Sequence, residues 1–127
     1  MKYLRVINAA LAVFLFGLLG AGCNRDASGP PTPLPLDQIP AALQKAFSGA
    51  NAENRSLADQ IVATLQAQDY SKAFYQIQNL AAAPGLNKEQ QGITSRAVLT
   101  LNGVLQSAQS KGDEKAAETL KTYRVNK

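Results

Sequence analysis

The sequence predicts an all-α domain, a small bundle of antiparallel helical hairpins with about four to five helices, set behind a leader and a proline-rich tether. Three observations carry this. From Asp37 onward, apolar side chains recur at i, i+3, i+4 and i+7 in every segment, the spacing that gathers them on one face of a helix. No run alternates apolar and polar residues for long enough to make a strand. Clusters of Gly, Asn, Asp and Pro interrupt the periodic segments at residues 48–51, 84–85 and 111–113, where turns are expected.

Taken in order, the first helix carries Ile39, Leu43, Ala46 and Phe47 at helical spacing. Pro40 falls in its first turn, where a missing N–H costs nothing. Residues 48–51 stop it. A second helix covers about residues 52–68, with Leu57, Ile61, Val62 and Leu65 on one face. Asp69 has the chemistry of an N-cap, a carboxylate able to accept from the free amides of the next turn. It opens a third helix whose Tyr70, Ala73, Phe74, Ile77, Leu80 and Ala81 form the clearest amphipathic stripe in the chain. Phe74 and Ile77 are the expected centre of the core.

Pro84 and Gly85 end that helix. Asn87 and Gln90 then have the spacing of a capping box for a long fourth helix reaching about Ser110. Its apolar set is Ile93, Ala97, Val98, Leu101, Val104, Leu105 and Ala108. Lys111 and Gly112 break the pattern, and Asp113 caps a last short helix with Ala116, Ala117, Leu120 and Tyr123. Gly92 and Gly103 lie inside the fourth helix, three turns apart on one stripe, and each costs about 1 kcal/mol relative to alanine. Either they let a partner helix approach closely, or they pack against the slim run Ala81, Ala82 and Ala83 of the third helix. The second reading is preferred.

The N-terminus has a different layout. Lys2 and Arg5 make a short cationic start, an apolar run follows from Val6 to Leu19 broken only by Asn8, and Gly20, Ala21 and Gly22 precede Cys23. This resembles the lipobox of bacterial lipoproteins, with Gly20 in place of the usual leucine. The resemblance covers residues 1–23. It implies cleavage before Cys23, attachment of diacylglycerol to its thiol, and a membrane anchor through that N-terminal lipid. In enterobacterial lipoproteins an Asp directly after the lipidated cysteine favours inner-membrane retention, so with Asn24 in that place the resemblance implies the periplasmic face of the outer membrane. The organisation expected is therefore a signal peptide at 1–22, a lipidated Cys23 with a disordered Pro-rich linker to residue 36, and a helical domain at 37–127. The four prolines between Asn24 and Pro35 favour an extended spacer.

Residues 69–73 and 112–117 resemble the turn and second helix of tetratricopeptide-like hairpins, where a Gly-x-Tyr-x-x-Ala pattern joins antiparallel helices. Gln68 stands where the glycine belongs, the second stretch lacks the tyrosine, and the matched Ala73 and Ala117 lie 44 residues apart. The resemblance covers at most the last 70 residues and implies a protein-binding scaffold.

Composition narrows the chemistry. There is no histidine and no tryptophan, and the one cysteine is Cys23, so neither a disulfide framework nor a cysteine-based metal site is expected. Without the leader, 11 basic side chains face 9 acidic ones, and the basic residues are scattered singly, so no nucleic-acid partner is expected. No nucleophile and base pair stands at a recognisable spacing, and no enzyme activity and no cofactor are expected. Two functions remain. One is a tethered interaction module for an envelope protein or peptide, with Tyr75, Gln78 and Asn79 as candidate partner contacts on the side of the third helix away from its stripe. The alternative is a structural or self-associating envelope lipoprotein, which leaves a homo-oligomer open. For Tyr75 a place at the edge of the core is an equal alternative.

Overall fold

A computed structural model describes residues 30–127. The leader, Cys23 and the tether as far as residue 29 lie outside the described residues. A short 3-10 turn, Leu36–Gln38, leads into five helices: α1 Ile39–Phe47, α2 Ala52–Gln66, α3 Tyr70–Ala81, α4 Lys88–Ser110 and α5 Glu114–Val125. No strand occurs among the described residues. The fold is the small all-α bundle that the periodicity predicts, and each helix stands where its apolar stripe places it.

The first four helices form a ring. α1 packs on α2, α2 on α3, α3 on α4, and α4 returns to α1, while neither diagonal pair brings its backbones together. α5 adds to the outside of this ring, against α4 and, less extensively, α3. The core is built from Ile39, Leu43 and Phe47 of α1, Ile61 of α2, Phe74, Ile77 and Leu80 of α3, Leu101 of α4 and Leu120 of α5, all almost fully buried. Phe74 and Tyr123 pack in a T shape at 5.1 Å between ring centroids and 73° between planes, which ties α5 to the centre.

Four helices begin with a side-chain cap. Asn51, Asp69, Asn87 and Asp113 each accept a hydrogen bond from the backbone N–H three residues on, at 2.8, 3.1, 2.8 and 3.0 Å. Such caps contribute about 1 kcal/mol each. The capping box at α4 is complete, because Gln90 also accepts from the Asn87 backbone N–H at 3.0 Å. Gln90 does more than cap. Its Nε2 donates to the Ala46 carbonyl at 3.1 Å, so the start of α4 is joined to the end of α1 inside the core.

Three buried threonines fit an apolar environment because each returns its hydroxyl proton to its own helix. Thr64 donates to Gln60 O, Thr94 to Gln90 O and Thr119 to Lys115 O, all within 2.9 Å. No hydroxyl is left unpaired at these positions.

The turns between α2 and α3 and between α4 and α5 are two versions of one device. In the first, the Gln68 N–H donates to Leu65 O and the Asp69 N–H to Thr64 O; in the second, the Gly112 N–H donates to Gln109 O and the Asp113 N–H to Ala108 O. This is the Schellman arrangement, with Gln68 and Gly112 in the left-handed region at φ 58° and 93°. It ends α2 at Gln66, two residues before the length its pattern suggested. Glycine holds that conformation freely, whereas glutamine pays about 1–2 kcal/mol. Gln68→Gly should therefore stabilise the domain by about 0.5–1 kcal/mol after the added freedom of the unfolded chain is subtracted. Thermal unfolding should show a rise of about 2–6 °C; a fall would mean that the Gln68 side chain makes a compensating contact.

Two expectations are corrected. Gly92 and Gly103 do not pack against α3: both are exposed, and a Cβ built on either meets nothing within 4 Å. The inner face of α4 is set instead by Gln90, Thr94, Ala97, Leu101 and Leu105, and the glycines lie on the other side of the helix. Ala81 and Ala82 are likewise exposed.

The second correction concerns the linker, whose last residues belong to the folded unit. Leu34 is buried to 7% exposure within the core cluster. Arg96 Nε donates to Thr32 O at 2.9 Å, and the Thr100 hydroxyl donates to Leu34 O. Residues 31–36 thus form a strap along the α1–α4 edge, and the compact unit starts at Pro31 rather than at residue 37. Every second residue from Pro31 to Pro35 is a proline with no N–H to satisfy, and the carbonyls of Thr32 and Leu34 between them accept from two α4 side chains.

A candidate interaction surface on α3

The inward face of α3 is fixed by Ala73, Phe74, Ile77 and Leu80, and the opposite side must therefore face outward. Lys72, Tyr75 and Asn79 are the exposed residues of that outer side, spaced at i, i+3 and i+7. Tyr75 is 41% exposed, so a large part of its side chain is open to solvent. Its ring leans over Phe74 at 6.4 Å and 55°, so packing restrains it while much of one face stays open.

Of the three residues picked out in the sequence, two share this surface fully. Asn79 is exposed one turn beyond Tyr75. Gln78 is only half-buried and is committed locally, because its Nε2 donates to the Phe74 carbonyl at 3.1 Å. It supports the helix that carries Tyr75 and has little left to offer a partner. Gln76, beside them, holds its Oε1 buried without a hydrogen-bond partner among the described residues.

Sequence reasoning did not see the second wall of the site. α5 runs beside α3, and between them lies a shallow cleft lined by Ser71, Lys72 and Tyr75 on one side and Lys115, Glu118 and Thr122 on the other. Lys115 closes its end with an ion pair to Asp69, Nζ to Oδ1 at 3.0 Å. That hydrogen bond, followed by the one from the Lys72 backbone N–H, holds the Asp69 carboxyl below the usual carboxylate range. Asp69 thus caps α3 and fastens α5 to it. The only sequence signal for this pairing is the matched turn chemistry at Asp69 and Asp113, which sets α3 and α5 in equivalent places after their hairpin turns.

The cleft presents one aromatic ring, two ammonium groups, two carboxylates and several hydroxyls. Among the described residues, no group of three or more His, Cys, Asp or Glu side chains could hold a metal ion. Also among them, no helix is long and apolar enough to cross a membrane. Compared with models of protein families, with curated proteins and with solved structures, the chain matches none.

Proposed function

We propose that the chain is an envelope lipoprotein, anchored by lipid on Cys23 and favouring the periplasmic face of the outer membrane, whose helical domain is a non-catalytic module for binding another protein or a peptide. The observation that carries the anchoring is the order of cationic start, apolar run, small residues and cysteine across residues 1–23. Two or three acyl chains hold a protein stably where a single chain binds only marginally. The binding role is supported by the α3–α5 cleft, where Tyr75 stands exposed between Lys72 and Glu118. It is further supported by the tetratricopeptide-like turn, since Gln68 occupies the left-handed position at which that pattern has glycine.

Cys23→Ser tests the anchor, because a hydroxyl cannot take the place of the thiolate as lipid acceptor. The wild-type protein should enter the detergent phase and carry a diacylglycerol-modified N-terminal cysteine by mass, and the variant should lose both. A wild-type protein that is unlipidated and cut elsewhere would sink the proposal. Crosslinking in cells, from a photoreactive residue placed at Tyr75, should yield a discrete heterologous adduct.

A second reading, self-association, is favoured by the outer face of α4. Leu99, 40% exposed, lies between the solvent-facing Gly92 and Gly103. Light scattering separates the two: a monomer fits the binding module, and a tight homo-oligomer fits the alternative.

A further inference from the structure

We infer that the strap dictates which side of the domain faces the lipid surface: the α1–α4 edge lies toward the membrane and the α2–α3 edge is held away from it. This rests on the lipid anchor proposed at Cys23. The strap is fixed at two points, Thr32 O on Arg96 and Leu34 O on Thr100, with Leu34 buried in the core. Whatever precedes Thr32 therefore leaves the domain from one known place.

From Cys23 to Thr32 there are nine residue steps. Fully extended, they span at most about 32 Å. Four helices packed 8–10 Å apart, each 10–12 Å across with its side chains, make a bundle about 23 Å in diameter, and half its circumference is about 36 Å. The strap lies on the α1–α4 edge, so the α2–α3 edge is diametrically opposite. To meet a surface beyond that far edge, the chain would have to round a quarter of the bundle and drop by its radius, about 30 Å, which is nearly full extension and about twice the 15–18 Å that a flexible chain of nine residues averages. A lipid surface is then the occupant nearest to the open side of α4.

The chemistry of that side raises no barrier to it. Between Gln90 and Ser110, α4 carries no acidic residue, and Arg96 is its only charged one. The outward residues Gly92, Ser95, Leu99 and Gly103 are small or apolar, so nothing on them is repelled by anionic headgroups. The Tyr75 surface belongs to α3, which comes near the strap only at its first residue, Tyr70, across a cleft shared with Leu36, and it stays turned toward the aqueous side where a partner can reach it.

The test uses the full lipidated protein reconstituted in phosphatidylcholine vesicles that contain nitroxide-headgroup lipid. Leu99→Cys, Ala63→Cys and Asn79→Cys each supply one free thiol for a fluorophore, since Cys23 is then blocked by its lipid. All three positions are exposed, so the fold is not at risk. Quenching at residue 99 should exceed that at 63 and 79 by about twofold or more, as the reach of the chain requires. Inserting 12 Gly and Ser residues between Asn24 and Arg25 roughly doubles that reach and should erase the contrast. Equal quenching at all three positions in the uninserted protein, stronger quenching at 63 or 79, or a contrast that survives the insertion would overturn the inference. A mass spectrum without lipid on Cys23 would instead overturn the anchor itself.

Discussion

Phe74→Ala should lower the stability of the domain by about 3–5 kcal/mol, the usual cost of emptying a fully buried phenylalanine site. Phe74 has no exposed surface, stands on the inward face of α3, and forms a T-shaped pair with Tyr123. Removing it opens a cavity and loosens α5 together. A domain of this size holds roughly 5–15 kcal/mol in total, so thermal unfolding should shift down by about 15–30 °C. Tyr75→Ala is the matched control. One residue along and turned by about 100°, it loses only a tilted contact with Phe74 and should cost no more than about 1 kcal/mol. Comparable losses from both would make Tyr75 a core residue and remove it from the candidate surface.

Gln90→Ala should be the second severe change, at about 2–4 kcal/mol, although the residue is polar and lies in the first turn of a helix. Its Oε1 completes the capping box with the Asn87 N–H, and its Nε2 supplies the donor for the Ala46 carbonyl, near the end of α1. Alanine removes a cap worth about 1 kcal/mol and strands a buried acceptor, which costs a further 1–3 kcal/mol. Gln90→Glu is the informative companion. Glutamate is the usual residue of a capping box, yet here a carboxylate oxygen would replace the donor facing Ala46 O. Chemical denaturation at neutral pH should find Gln90→Glu at least as damaging as Gln90→Ala. Burial beside a carbonyl would raise the folded-state pKa of that carboxyl above its unfolded value. Its penalty should therefore shrink below about pH 4, where the acid is protonated in both states and can donate. A mild effect from Gln90→Glu at neutral pH would mean that the α1–α4 link is unimportant.

Gln90 also shows what the sequence could and could not convey. The spacing from Asn87 to Gln90 is a local pattern, and local patterns are legible: the caps at Asp69, Asn87 and Asp113 and the inward stripes of α1 and, apart from the exposed Ala81, of α3 stand where periodicity and turn chemistry place them. The link from Gln90 to Ala46 spans 44 residues and has no local signature. The same distinction explains the glycines of α4. A stripe shows that two residues share a face, but which face turns inward depends on the neighbours, and Thr94 and Gln90 are buried where an apolar count places neither. Leu34 is a third case. Proline-rich composition predicts a spacer because it cannot form a core alone, but it does not prevent one leucine from entering a core built by others. A domain cut at residue 36 would leave that pocket empty. The candidate surface was half legible, with Tyr75 and Asn79 found from the outward side of α3. Lys115, Glu118 and Thr122 went unseen because helix pairing, rather than sequence proximity, brings them there.

The two Schellman turns carry a consequence for how the chain tolerates change in length. At each of them one aspartate both receives the end of one helix and opens the next: the Asp69 and Asp113 backbone N–H groups close α2 and α4, and their side chains start α3 and α5. Nothing between the helices is spare. An inserted residue there would separate the two duties and release one helix from its cap, and with Asp69 it would also shift the carboxylate that Lys115 grips. Residues 48–50 and 82–86 have no such double duty, since Asn51 and Asn87 only begin helices. Grafted peptides, affinity tags or protease sites therefore belong in those two connections, and circularly permuted versions of the chain should be opened there rather than at either aspartate.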